Sequence, residues 1–332
     1  MTERVATTPG LYPLPDWAKE TLSELKGHQK GDLLSGDETG EIVETYDEVR
    51  SELIDDQVDA GLDRIVEGQA RWDDMIAHPL TIADGVEPGG IVRYYDNNNF
   101  YRDPRVRSEP SPSGDVADDL AAARDVAPEN AALQAVLPGP YSLADLATNE
   151  TGGDEGEFLE AIAAFLAAEV EALGDHETLF LLEPSLVENP PGDGADERAS
   201  AAIDEVAAAT DAEVVVHTYW GAIPEKPYAH LLDADVDAVG IDLVAGDRED
   251  SLYNVQEYGA ADSIALGVVD GQNTLVETPE TIAERVEWFE SQVPVDDFET
   301  TYVTSNTELF YLPENKYEAK LNALAAGVEV LS

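Results

Sequence analysis

Val214-Val215-Val216-His217-Thr218-Tyr219-Trp220-Gly221 is the stretch on which the fold turns. Three β-branched residues in a row favour extended backbone, and the run is too short for a helix, so it reads as a buried strand. An alanine-rich segment over 196–209 precedes it with helical character, and a Gly/Pro loop over 221–227 follows. Helix, strand and loop in that order are the repeat of a barrel built from alternating strands and helices. In such a barrel, ligands meet side chains at the C-terminal ends of the strands, which is where His217 falls. A histidine that merely caps a core strand fits the same pattern.

The unit recurs on both sides. Towards the N-terminus, a helix over 155–173 leads to a strand at Thr178–Leu182 that ends in Glu183-Pro184. Leu133–Leu137 is a strand broken by Pro138-Gly139-Pro140, and Tyr141 enters another helix. A helix over 116–126 precedes it, behind a Pro/Ser-rich surface loop at 103–115. The segment 90–102, GIVRYYDNNNFYR, reads as a short strand with a polar aromatic tail, because successive asparagines favour turns. Earlier still, Ile42, Val43, Tyr46, Val49, Leu53, Ile54 and Val58 repeat at helical spacing, Gly61 ends that helix, and Leu62–Val66 is a strand. Lys19–Lys26 is a helix capped by Asp16, and residues 7–17 form a loop behind a short opening strand. Towards the C-terminus, Ala238–Val244 and Ser263–Val269 are strands, Thr278-Pro279 opens a helix, Tyr302–Thr304 is the last strand and Lys316–Ala326 the last helix. About eight strands, most followed by helices, predict a (β/α)8 barrel. The expected organisation is a single domain over 1–332, with exposed acidic loops near 31–41, 103–115 and 188–198. A doubly wound sheet is the alternative, but neither GxGxxG nor GxxxxGK[ST] occurs.

Composition narrows the class. Hydrophobic residues make up 43% of 332, enough for a large core, and no apolar run approaches the roughly 18 residues that span a bilayer. Acidic residues outnumber basic ones 71 to 18, a net charge of −53 spread along the chain. With so few cations and no basic stripe, nucleic acid is not an expected partner. A surface this acidic suits very high salt, where the Debye length falls to about 3 Å at 1 M and self-repulsion is screened. The expectation is a halophilic cytoplasmic protein. The chain has no cysteine, which excludes disulfides and thiolate metal sites, and no basic-then-apolar leader is visible.

Polar residues cluster at the predicted strand exits: Gln69, Asp96, Asn97, Glu183, His217, Asp242, Asp270 and Ser305. Asp242 lies inside an apolar run, where a carboxylate is costly unless it is paired or faces a cavity. Glu183 and Asp242 beside His217 could handle protons or join a metal site, although one histidine with carboxylates is a thin donor set for zinc. A hydrogen-bonded network that only ties strand ends together is the other reading. No GxSxG elbow and no HExxH helix is present, so hydrolysis has no positive signal.

Several segments in order resemble the cobalamin-independent methionine synthase family. They are TTPGLYPLPDW at 7–17, QVDAGLDRIVEGQARWDDM at 57–75, LPGPYSL at 137–143, LLEPSLV at 181–187, VVVHTYWG at 214–221, ALGVVDGQN at 265–273 and TSNTELFYLP at 304–313. RYYDNNNFY at 93–101 is similar to the family's N-terminal barrel, a divergent copy of its catalytic one. The resemblance implies a (β/α)8 barrel and methyl transfer from a methyltetrahydropteroyl-glutamate, a methyltetrahydrofolate-type donor, to homocysteine. It implies Asp242 and Glu183 as catalytic residues. It implies Gln69, Asp96, Asn97, Asp270 and Ser305 as substrate-binding residues, and zinc at His217. The family holds zinc with one His, two Cys and a Glu, which turns a thiol into a thiolate nucleophile. Here Tyr219 and Thr307 stand where the cysteines belong, Asp242 replaces the glutamate ligand, Gln69 replaces a substrate-contacting glutamate, and Leu182 replaces the aspartate before Glu-Pro. Losing both thiolates removes the soft donors of a tight zinc site. The resemblance therefore implies an N-terminal-type barrel on its own polypeptide, paired with a second methionine synthase barrel chain. A non-catalytic barrel that binds a folate, a pterin or a methyl-donor protein is the alternative, and a lyase related to uroporphyrinogen decarboxylase a weaker one.

Overall fold

Val/Ile/Leu-rich runs buried on both faces make parallel strands, and the computed structural model, which describes residues 2–24, 33, 38–95, 99–293 and 298–331, has eight of them in one sheet. They are β1 (Glu3–Ala6), β2 (Ile65–Val66), β5 (Leu133–Pro138), β7 (Thr178–Leu182), β8 (Glu213–His217), β9 (Ala238–Asp242), β10 (Ser263–Val269) and β11 (Thr300–Ser305). Three further strands, β3 (Asp84–Arg93), β4 (Phe100–Ser111) and β6 (Thr148–Asn149), form a separate small sheet. Following the large sheet from β2 through β5, β7, β8, β9, β10 and β11 to β1 visits the strands in chain order, with β1 last. The two edges then meet: the Ala6 carbonyl accepts from the N–H groups of Asp63 at 3.0 Å and Arg64 at 3.3 Å, and Ala6 N–H donates to the Asp63 carboxylate at 2.8 Å. These bonds close the (β/α)8 barrel.

The helices end where sequence chemistry says they should. Thr39 caps the helix Gly40–Ala60 by accepting from Ile42 N–H, and Gly61 stops it in the left-handed region at φ 85°. Asp154 and Glu157 form a capping box at the start of Glu155–Ala172. The Thr278 side chain caps Pro279–Glu290 through Thr281 N–H.

Two local expectations are corrected. Residues 90–102 do not supply a barrel strand: their described part belongs to the ends of β3 and β4, which pair antiparallel outside the barrel, and the short opening strand takes the eighth place instead. Residues 103–115 are strand as far as Ser111 rather than loop. The prolines at 104 and 110 suggested a loop, yet β6 pairs with β4 only at Arg105 and Val106, so both prolines fall where that side of the strand is unpaired. Segment 31–41 lies largely outside the described residues. Segment 188–198 is loop only between the short helix Ser185–Glu188 and the helix Ala195–Ala207.

Candidate site at the barrel mouth

Parallel strands bring their C-terminal ends to one rim, and there the backbone carries its strain. Leu11, Gln69, Tyr95 and Trp220 are the described non-glycine residues with positive φ, at 53°, 50°, 33° and 74°. Leu11, Gln69 and Trp220 follow β1, β2 and β8, and Tyr95 follows β3. Such conformations cost roughly 1–3 kcal/mol each and gather where a site over-determines them.

Asp242 ends β9 fully buried. Its Oδ1 accepts from Val244 and Ala245 N–H, each at 2.8 Å, and its Oδ2 from Trp220 N–H at 2.9 Å and Asn306 Nδ2 at 3.1 Å. Burial raises its pKa while these donors pull it down. His217 ends β8, equally buried, with Nε2 3.0 Å from the Asn306 carbonyl. A carbonyl only accepts, so Nε2 carries the proton and Nδ1 the lone pair. Nδ1 has no partner among the described residues and faces the Gly240 backbone, where an added Cβ would sit 2.2 Å away. Burial pushes the imidazole down to about 4, so it is neutral at ordinary pH. Glu183 follows β7 and turns to the start of the helix Pro140–Leu146. It accepts from Tyr141 N–H at 2.9 Å, Ser142 N–H at 2.7 Å and the Ser142 hydroxyl at 2.6 Å. Burial lifts it to about 7 despite those bonds, and a Cβ at Gly139 would lie 2.2 Å from its carboxyl carbon.

The remaining predicted positions look inward or locally. Gln69 Oε1 accepts from Leu11 N–H at 2.8 Å. Ser305 Oγ donates to the Thr307 carbonyl at 2.8 Å. Asp270 Oδ1 closes a turn with Gln272 and Asn273 N–H at 2.9 and 3.1 Å. Asp96 and Asn97 lie outside the described residues. The structure thus joins His217 and Asp242 through Asn306 and sets Glu183 beside them, its N–H on the His217 carbonyl at 2.9 Å, while Asp270 serves its own turn.

The zinc positions do not fit zinc. Asp242 spends both oxygens on four N–H donors, His217 spends Nε2 on a carbonyl, the Tyr219 hydroxyl points at Met75 Sδ at 3.8 Å, and Thr307 Oγ1 donates to the Glu308 carbonyl at 3.2 Å. Among the described residues no three His, Cys, Asp or Glu side chains converge on a common point.

Sequence reasoning missed a second set of groups at the same rim. Asp74, 5% exposed, accepts on Oδ1 from the Tyr94 hydroxyl at 2.5 Å and from Ile76 and Ala77 N–H, while Oδ2 has no partner among the described residues. Glu308 is 1% exposed with neither oxygen in a well-formed hydrogen bond, and burial lifts it to about 8, slightly countered by its own N–H and by Gln272. Tyr219, Trp220, Tyr95 and Tyr94 make a chain of rings with centroids 4.8, 5.3 and 5.7 Å apart. The available signal was a Glu inside the apolar strand exit of TSNTELFYLP and an Asp beside Met75.

The fold and the rim define the class: a (β/α)8 barrel with its polar groups gathered at the C-terminal mouth. The family described as cobalamin-independent synthase, N-terminal domain, matches residues 83–294. The chain belongs to that family. It is 25% identical to the methionine synthase of Sulfurisphaera tokodaii across 98% of this chain and 91% of that one, and 23% identical to the methionine synthase of Saccharolobus solfataricus across 98% and 94%. In fold it is similar to a B12-independent methionine synthase from Shewanella sp. in complex with selenomethionine, with a TM-score of 0.81, 18% identity, and 98% and 97% of the two chains covered. A putative B12-independent methionine synthase from Listeria monocytogenes superposes with a TM-score of 0.74 at 16% identity, covering 100% of this chain and 99% of that one.

Proposed function

We propose that this chain takes part in methyl transfer from a methyltetrahydropteroyl-glutamate to homocysteine as the substrate-handling barrel of a two-chain methionine synthase, in a halophilic cytoplasm. The observation that carries this reading is the fate of the family's metal positions. Asp242, Tyr219 and Thr307 are committed to bonds inside the protein and the free Nδ1 of His217 faces the Gly240 backbone, so on this reading the thiolate chemistry falls to a partner barrel. On this reading the rim of aromatic rings receives the flat pterin and Asp96 and Asn97 orient substrate, while Gln69, Asp270 and Ser305 act by holding the backbone of the strand exits. Glu183 fixes the helix start after β5, and Asp242 the turns after β8, β9 and β11. Membership of the N-terminal-domain family supports the division of labour.

The test is reconstitution in molar salt. Methionine formation is followed with this chain alone, with a zinc-loaded catalytic-type barrel alone, and with both. The expected result is no turnover by this chain and at least tenfold faster turnover by the mixture than by the partner. Turnover by this chain alone, or a partner rate indifferent to its presence, overturns the reading.

A further inference from the structure

We propose that a cleft on the outer side of the mouth wall binds a free α-amino acid with an apolar side chain. The cleft, about 420 Å³, opens where the helices Pro140–Leu146, Glu155–Ala172 and Ala195–Ala207 diverge. That volume falls within the roughly 300–1,000 Å³ of small-ligand pockets. Phe158 and Leu159, 6% and 7% exposed, give it an apolar lining together with Ala144 and Pro191. The helix Pro140–Leu146 separates it from the mouth. The N–H groups of Tyr141 and Ser142 turn to Glu183, while Ala144 and Asp145 line the cleft. This is a second site, whatever the mouth itself takes.

Three charged groups line the cleft with bonding capacity unspent. Arg198 pairs with no carboxylate and donates no hydrogen bond among the described residues, in a chain whose acidic residues outnumber its basic ones 71 to 18. Its stem lies against the start of the helix Glu155–Ala172, where a Cβ at Gly156 would sit 3.6 Å from its Cδ and Nε. Asp145 holds Oδ2 on Ser185 Oγ at 2.8 Å and Asn189 Nδ2 at 3.1 Å, which fixes the carboxylate and leaves Oδ1 for a ligand. The Glu155 carboxylate accepts no hydrogen bond from the described residues. The other polar side chains are already used. The Tyr141 hydroxyl donates to the Asn189 carbonyl at 2.6 Å, and Asn149 spends both ends of its amide on Gly153 and Thr151. One guanidinium and two carboxylates therefore remain. A lone carboxylate would face two like charges, and a lone amine would leave the guanidinium without an anion. An α-amino acid sets its carboxylate on the guanidinium fork and its ammonium against Asp145 and Glu155, and the apolar lining takes its side chain.

Calorimetric titration of the full chain in molar NaCl tests this with L-phenylalanine, 3-phenylpropanoate and 2-phenylethylamine, which share one ring and differ in charge. At that salt the Debye length is about 3 Å, so only groups in contact contribute. L-Phenylalanine is expected to bind one to one, with both single-charge analogues at least tenfold weaker. Arg198→Gln, a change at an exposed position, should weaken L-phenylalanine at least tenfold, and Ala144→Trp, which fills the cleft, should abolish its binding. Circular dichroism checks that both variants are folded, and Arg198→Gln decides by itself should Ala144→Trp fail to fold. No binding of L-phenylalanine, equal binding of either analogue, or an affinity unchanged by Arg198→Gln would overturn the proposal.

Discussion

Asp242 and Glu308 are buried carboxylates two strands apart on one rim, and they are treated in opposite ways. Asp242 receives four N–H donors and ties the loops after β8, β9 and β11 together. Glu308 receives none of good geometry. The same side-chain chemistry therefore serves architecture where the backbone is turned towards it. Where the backbone is turned away, it is left for something else. Burial alone does not separate the two; the count of donors does.

Breaking the satisfied side should cost most. Asp242→Ala strands four donors in a dry site, and about 3–5 kcal/mol of stability should be lost in urea unfolding at molar salt. An unchanged midpoint would show that the loops hold without it. Gly240→Ala forces a methyl to 2.2 Å from His217 Nδ1 and should cost about 2–3 kcal/mol by overpacking, readable in the same assay.

The unsatisfied side should respond with the other sign. The pKa of Glu308 is raised from 4.5 to about 8, so the folded protein holds its proton across that window while the unfolded chain has released it. That contribution to stability is complete below about 4.5 and is lost as pH rises through about 8. Glu308→Gln should accordingly raise stability by about 2 kcal/mol at pH 8.5 and leave it nearly unchanged at pH 5. A destabilised variant at pH 8.5 would mean that the carboxylate is satisfied after all. Smallest is Tyr95→Phe, which deletes one bond of 2.7 Å to the Ser185 hydroxyl and should cost about 1 kcal/mol in thermal melts.

Much of the barrel was legible because its strands are short unbroken apolar runs and its helices carry their caps in the sequence, as Thr278-Pro279 and Gly61 do. The hairpin was not, because residues 90–102 and 103–115 have the Pro, Ser and Asn content of loops, and only antiparallel pairing outside the barrel makes them strand. At the site, strand-exit logic located His217, Asp242 and Glu183, since position along a parallel strand fixes height in the barrel. It could not distinguish satisfied from unsatisfied carboxylates. Whether an oxygen meets a donor depends on the aim of distant loops, such as Asn306 reaching Asp242 across 64 residues of chain. Glu308 and Asp74 were passed over for that reason.

The closure of the barrel sets an order of events during synthesis. Glu3 is aligned with Thr300 and Ala6 with Val303, so the first strand finds one neighbour only after the chain as far as β11 has left the ribosome. Its other neighbour, at Asp63, offers just a few bonds. Until β11 emerges, the nascent chain is an open sheet with two bare edges, slow to complete and prone to pairing with other chains.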